Sequence, residues 1–478
     1  MKEFIKSFFS FGLATSIQKM MAFLLLPVYT RYFTTVEFGV IDLIQVILGI
    51  ASIFAILQLE TAMQRYYYEL KGKLKKIFIS TIFIVIVSFS IFLTLVLFFF
   101  SAQISSLIFK TVEYSGLIEL ASFQLPFTNF SMLAFILLRY EKKNKSFVFL
   151  MLAKVLLMLA LVLVLVVWLK IGIEGVFYAQ LVSLAVSSIL IFLAVRDYLA
   201  LKMSIPLFKK AWKYAMPQIP ARVGSVSLSY ANRFFMVSFL TVASIGVYSL
   251  SLKLASAIQL IYSAFIMAWA PFMFEQLKKP DHKTTFAHTL GLASGPLFLL
   301  VSLISLFSKE LVVLVASQEF YESHHFVGGL SLYFSLFIIK EIVDIGPKVL
   351  EKTKFLSYTF FVSVIINIST LYFLIRSFGL YGVVYSMLIT NTVLVALSWF
   401  VSNKLYYIPF KIPKFIMLAL PAFFLAIYSM YQLPNIWFKI LISFVLIGYY
   451  GFVFWKDYNI FRTTIAKNRE LEVLGTTV

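Results

Sequence analysis

The stretch at 216–256, MPQIPARVGSVSLSYANRFFMVSFLTVASIGVYSLSLKLAS, decides how the chain is read. It is apolar enough to lie in a membrane, yet it carries Arg222, Arg233 and Lys253 with no acidic residue among them. Two prolines, Pro217 and Pro220, stand near its start, and Gly246 marks the turn between its two apolar halves. A central Arg or Lys costs roughly 2.5–3.5 kcal/mol on insertion scales. Repeating that cost three times points to a water-filled cavity or an anionic ligand that receives the charge.

Working outward, the composition agrees with a membrane setting. The 478 residues are 61% hydrophobic and only 13% charged, where a typical soluble domain is about 25% charged. Many apolar runs reach about 20 residues, the length that crosses a hydrocarbon core of roughly 30 Å. They show no period-2 alternation with aromatic girdles, which argues against an outer-membrane barrel. The expected fold class is therefore an all-α polytopic membrane protein. The first run, near 8–28, is too long for a signal-peptide core and has no small-residue cleavage site after it, so it reads as a retained helix. With no cysteine in the chain, disulfide and thiolate chemistry are excluded.

Hydropathy gives about fourteen spans. They fall near 9–30, 40–60, 77–100, 117–138, 147–169, 172–195, 213–237, 242–270, 286–307, 326–346, 354–375, 380–401, 413–431 and 436–455. The connections between them alternate between basic and nearly uncharged. By the positive-inside rule both termini and every even-numbered connection are cytoplasmic. The net charge of +20 is thus mostly a topology signal. No basic run is interleaved with stacking aromatics on a soluble domain, so no nucleic-acid partner is expected. The segment at 196–213 reads as an amphipathic stretch on the inner surface.

An internal repeat sharpens this picture. FGVIDL at 38–43 matches IGVYSL at 245–250, which sets Gly39 on Gly246 at an offset of 207 residues (246 − 39). IGIEGVFYAQLVS at 171–183 matches FGLYGVVYSMLIT at 378–390, and Gly172 falls on Gly379 at the same offset. The repeat covers six helices, an even number, so the copies share one orientation and form a parallel repeat. The expected organisation is an N-terminal half at 1–200, a C-terminal half at 201–410, and two additional helices with a cytoplasmic tail at 411–478.

Polar residues mark the first two helices of each half. Ser249, Lys253, Ser256 and Gln259 share one helical face, as do Arg222, Ser225, Ser229 and Asn232 with Arg233. Their counterparts are Asp42, Gln45, Gly49 and Ser52 on the second span, and Thr15 and Gln18 with Lys19 on the first. A hydrated cavity between the halves is the economical explanation. Lys19, Arg222 and Lys253 are deep and have no acid at helical spacing, so they are expected to line it. Arg31 and Arg233 lie near the outer ends of their helices, where they either line the cavity or snorkel to headgroups. For Lys154, near the inner end of its span, snorkelling is the preferred reading. Lys340 has Glu341 beside it and Asp344 one turn on, which favours an ion pair. Asp42 either pairs with a cation or takes up a proton or sodium ion, and Glu60 and Asp344 are the other acids considered for ion coupling.

There is no GxxxxGK[ST] motif for ATP hydrolysis and no HExxH or clustered His/Asp metal set. No connection exceeds about 20 residues, which leaves no room for a soluble catalytic domain. Neither an enzyme nor a cofactor is expected.

These residues carry a resemblance. The segment at 213–256 resembles the central region of the polysaccharide-biosynthesis flippases, the lipid-linked-oligosaccharide translocases of the multidrug/oligosaccharidyl-lipid/polysaccharide exporter superfamily. RYYYE at 65–69, AWAPFMFEQ at 268–276 and KTKFLSYTFFVSVIINISTLYFLI with FGLYG at 352–382 look alike too. One departure stands out: Asn232 occupies the place where the family often has Asp before the arginine. The resemblance implies flipping of an undecaprenyl-pyrophosphate-linked glycan, for O-antigen, capsule or a related polysaccharide, across the inner membrane of a bacterium by alternating access. A cationic lumen would receive the pyrophosphate. Membrane lipids, a proton or sodium gradient and other polysaccharide assembly proteins are the implied partners. A cation-coupled drug exporter of the same superfamily should carry more intramembrane carboxylates, the repeat with its matched polar stripes argues against a membrane scaffold, and the short outer loops argue against a glycan polymerase.

Overall fold

The computed structural model describes residues 23–473 except 201, 278, 351 and 353. Thr15, Gln18 and Lys19 lie outside the described residues, as do the side chains of Ser225 and Ser229. Among the described residues there is no strand, and ten helices are long and apolar enough to cross a membrane. The all-α polytopic fold is thus present. The chain divides into two compact units, Met1–Gly246 and Val247–Val478.

In the first unit, α1 occupies 23–32 and α2 runs Thr35–Ile56. The start of α2 is fixed by a capping box: Glu37 N–H donates to Thr34 Oγ1 at 3.2 Å and Thr34 N–H donates to Glu37 Oε2 at 2.8 Å. Its end is equally definite, because Leu57 and Gln58 both take left-handed backbone (φ 49 and 58) and turn the chain into the short α3, Leu59–Tyr66. Then come α4 (Gly72–Phe99), α5 (Ser101–Phe109), α6 (Ser115–Ser122), α7 (Gln124–Tyr140), α8 (Asn144–Val162) and α9 (Ile173–Val195). Helix α4 packs against α2, α6 and α7, while α9 packs against α6, α7 and α8.

The amphipathic stretch expected on the surface is α10, Ile205–Ala215. Its Ala211 and Ala215 enter the same buried cluster as Phe78, Ile82, Leu137 and Ile191, while Met203 and Ile205 beside its start are exposed. Two hydroxyls of α4 hold the entry to it: Ser80 accepts from Ala200 N–H at 2.7 Å and Thr81 from Ser204 N–H at 3.0 Å. The unit continues through α11, Ile219–Phe239, and the beginning of α12, Val242–Ala255.

The second unit contains α13 (Ala257–Gln276), α14 (His282–Leu306), α15 (Ser308–Val315), α16 (His324–Val343), α17 (Ile345–Val349), α18 (Lys354–Leu405), α19 (Ile412–Tyr428) and α20 (Ile436–Val473). Helix α16 is its core, packed by α13, α14, α18 and α19. A small residue makes that packing close: a Cβ on Gly328 would sit 2.6 Å from Ser429 Oγ and 2.7 Å from Ser305 Oγ. The two spans expected at 354–375 and 380–401 are both present, as two helices that meet at a kink at Gly379 (φ 55, ψ −129) within α18. Gly172, its partner in the repeat, also has positive φ, at 81°. The FGLYG and IGIEG motifs therefore share a backbone requirement that glycine meets at little steric cost.

At the other edge of this unit Lys439 of α20 is buried, with its ammonium 2.7 and 2.8 Å from the two carboxylate oxygens of Glu310 on α15. Glu310→Ala would strand that ammonium. It should cost about 2 kcal/mol, less than a fully buried pair because the Glu310 side chain is 42% exposed. Unfolding in detergent micelles measures the loss.

Candidate functional site

The polar face of α2 is divided between two tasks. Asp42 lies nearest the start and forms an ion pair with Arg233 of α11, Nε to Oδ2 at 3.4 Å, with both side chains about a tenth exposed. Arg233 therefore does not reach toward headgroups. Asn232 beside it is also buried, and its Oδ1 finds no partner among the described residues. With Asn in that place, the acid that neutralises Arg233 comes from 191 positions earlier in the chain.

Further along the same face Gln45, Gly49 and Ser52 line a cavity of about 660 Å³ inside the first unit. Ser52 donates to Asn129 Oδ1 at 2.5 Å, and Asn129 Nδ2 donates to Ser90 Oγ at 2.8 Å, which ties α2, α7 and α4 together at the cavity's edge. The opposite walls come from Gln124 and Thr128 of α7, Lys154 of α8, and Gln180 and Ser183 of α9. Tyr230 of α11 closes on Gly49 so tightly that a Cβ there would lie 2.6 Å from its hydroxyl. Apolar side chains such as Leu48, Met158 and Leu184 complete the lining.

Lys154 is the residue that sequence reasoning placed elsewhere. It is half-buried on the cavity wall, and no carboxylate lines the cavity among the described residues. The signal was visible, a lysine with no acid at helical spacing, but distance from the helix end was a poor guide to what the residue lines. Gln124 and Gln180 carried no signal of their own.

The other sequence-selected cations lie on separate elements. Arg222 is exposed at the start of α11 and acts electrostatically on Glu60 of α3. Arg31 is exposed near the end of α1. In the second unit Lys253 is half-buried in the last turn of α12, and its carbonyl accepts from Ser256 Oγ at 2.6 Å. The helix breaks at that serine, so Ser249 and Gln259 fall on successive helices rather than one stripe. Ser249 is buried with its hydroxyl unpartnered among the described residues. Asp344, also buried, is held 2.6 Å from both Lys340 and Lys348, and Glu341 meets Lys348 at 2.7 Å and Lys340 at 3.4 Å. That is a neutral set of two lysines and two acids. Asn391 joins neighbouring helices as expected of intramembrane asparagines, donating to the Tyr333 carbonyl at 2.9 Å.

The family model described as "Polysaccharide biosynthesis protein" matches residues 4–277, more than half of the chain. The chain belongs to that family. No curated protein matches it. Among solved structures, the chain is similar to a lipid II flippase, MurJ, in an inward closed conformation, with TM-score 0.69 and 15% identity over 94% of this chain and 99% of that one. An inward-facing multidrug resistance MATE transporter of the MOP superfamily aligns with TM-score 0.63 and 15% identity, covering 81% and 94%. The Vibrio cholerae MATE transporter VcmN aligns with TM-score 0.59 and 15% identity, covering 84% and 96%. At such identity the likeness establishes the fold, and the family member described here shares it across nearly all its length.

Proposed function

We propose that the chain translocates a lipid-linked anionic oligosaccharide, a repeat unit of O-antigen, capsule or a related polysaccharide, from the inner to the outer leaflet of a bacterial cytoplasmic membrane. The observation that carries this reading is the chemistry of the cavity in the first unit. Its wall presents a lysine, three glutamine amides and several hydroxyls, with no carboxylate among the described residues. In a low-dielectric setting such a wall attracts anions and repels the cations that many drugs are. Family membership in polysaccharide biosynthesis and a fold shared with a lipid II flippase both support it. No catalytic step is part of the proposal.

Deletion of the gene tests it. Lipid-linked glycan should accumulate on the inner leaflet; if none accumulates and drug susceptibility changes instead, the reading fails. Arg222→Ala and Lys253→Ala should each lose complementation of that deletion at normal membrane abundance, and full activity of both would remove these two cations from the transport path.

A further inference from the structure

The cavity in the first unit is more specific than a generally cationic surface. Its wall combines three features that suit different parts of one ligand. Lys154 supplies a positive charge, and no described acid pairs with it. Gln45 and Gln180 present side-chain amides that make no hydrogen bond with any described residue, and the Gln124 amide is only partly used, its Nε2 donating to the Phe177 carbonyl at 3.4 Å. Leu48, Met158 and Leu184 provide flat apolar surface. Amides with spare donors and acceptors match adjacent hydroxyls, apolar side chains match the C–H faces of a pyranose ring, and one ammonium matches one anion. The volume of about 660 Å³ lies within the usual range of small-molecule sites, about 300–1,000 Å³.

A diphosphate suits this wall less well. It brings two negative charges close together, and among the described residues the wall has a single cation. Among the described residues a second charge would meet no cation on this wall, and burying a charge without a partner is unfavourable.

We propose that this cavity binds a polyhydroxylated group carrying one negative charge, and that its source is an acidic sugar of the hexuronate type in the transported glycan. The assignment rests on the flippase reading and deepens it, because it gives the first unit a part in choosing which glycan is carried. Lys154 pairs with the sugar carboxylate, and Gln45 and Gln180 hydrogen-bond its hydroxyls.

The test uses the full chain purified in detergent, with D-glucuronate, D-glucose, glycerol phosphate and inorganic pyrophosphate as separate probes. Ligand that binds the folded state raises the unfolding midpoint in proportion to its occupancy. Glucuronate should raise it and glucose should not. Lys154→Gln should weaken glucuronate binding by about tenfold or more, the loss of one charge-assisted hydrogen bond, while Lys154→Arg keeps part of it. The unliganded Lys154→Gln protein should be at least as stable as the parent, since the change removes a half-buried charge that has no acidic partner. A lysine with a merely structural role would lower that stability instead, and this outcome overturns the proposal. Equal protection by glucose overturns it, as does protection that does not depend on Lys154. Stronger Lys154-dependent protection by pyrophosphate reassigns the cavity to the diphosphate, and by glycerol phosphate to a phospholipid headgroup; either overturns the sugar assignment. Failure of the two readings is separable. If the deletion strain accumulates lipid-linked glycan and Lys154→Gln restores full export, the cavity assignment falls and the flippase stands. If glucuronate binds through Lys154 but no lipid-linked glycan accumulates, the flippase reading falls.

Discussion

Gly246→Ala should cost about 3 kcal/mol or more, beyond the ordinary range of overpacking, and leave little folded protein in the membrane. The methyl would overlap the carbonyl oxygen of Thr35 at the start of α2 and lie 3.2 Å from the Gly39 amide nitrogen. The obstacle is backbone on both counts, so no side-chain rotation relieves it and the helices must separate. Gly39→Ala should act in the same direction, since its Cβ would meet the Val242 carbonyl and the Gly246 amide. Gly116→Ala in α6 provides the control. Nothing lies within 4 Å of a Cβ there, and alanine is the better helix former by about 0.5–1 kcal/mol. Membrane abundance and unfolding in detergent should separate the two cleanly. Parental stability of Gly246→Ala would mean that α2 and α12 do not meet at these glycines. The contact also gives one part of the repeat a physical meaning, because Gly39 and Gly246, matched by the 207-residue offset, are in close backbone approach.

The second large effect concerns the Asp42–Arg233 pair. Asp42→Ala should destabilise by about 3 kcal/mol, because it leaves a guanidinium only 11% exposed without its carboxylate. Most of that figure is the cost of the stranded charge rather than the worth of the pair. Joint replacement by Asp42→Leu and Arg233→Met should therefore recover most of the lost stability, as apolar substitutes of similar volume often do for buried ion pairs. A double-mutant cycle on unfolding in detergent gives the coupling directly. Transport separates structure from mechanism. If Asp42 serves to hold Arg233, the double variant should export glycan once its stability returns. A stable double variant with no export would instead assign the pair to the transport cycle, and Asp42→Asn would then show whether the carboxylate charge is the part required.

Several functional features stood in the sequence because they are local. Apolar runs long enough to span a bilayer need no tertiary information, since unpaired backbone groups in lipid leave the helix as the economical structure. The glycines at 172 and 379 were legible as a matched pair of the repeat, and the structure adds that both take positive φ. The face of Asp42, Gln45, Gly49 and Ser52 was legible too, because helical periodicity alone places those positions together.

What those side chains meet was decided by the tertiary structure. Arg233 finds its acid 191 positions away, and Lys439 finds Glu310 across 129. Charge pairing at such separation leaves no spacing rule to read. Lys154 shows the same limit from the other side. Its position near a helix end suggested an ammonium reaching for the surface, whereas the packing of α2, α7, α8 and α9 leaves space beside it and lines that space with glutamines. A lone cation in an apolar helix is a fact of sequence. Whether it snorkels, pairs or faces a cavity depends on which neighbours the fold brings within the few ångströms over which a charge can be satisfied.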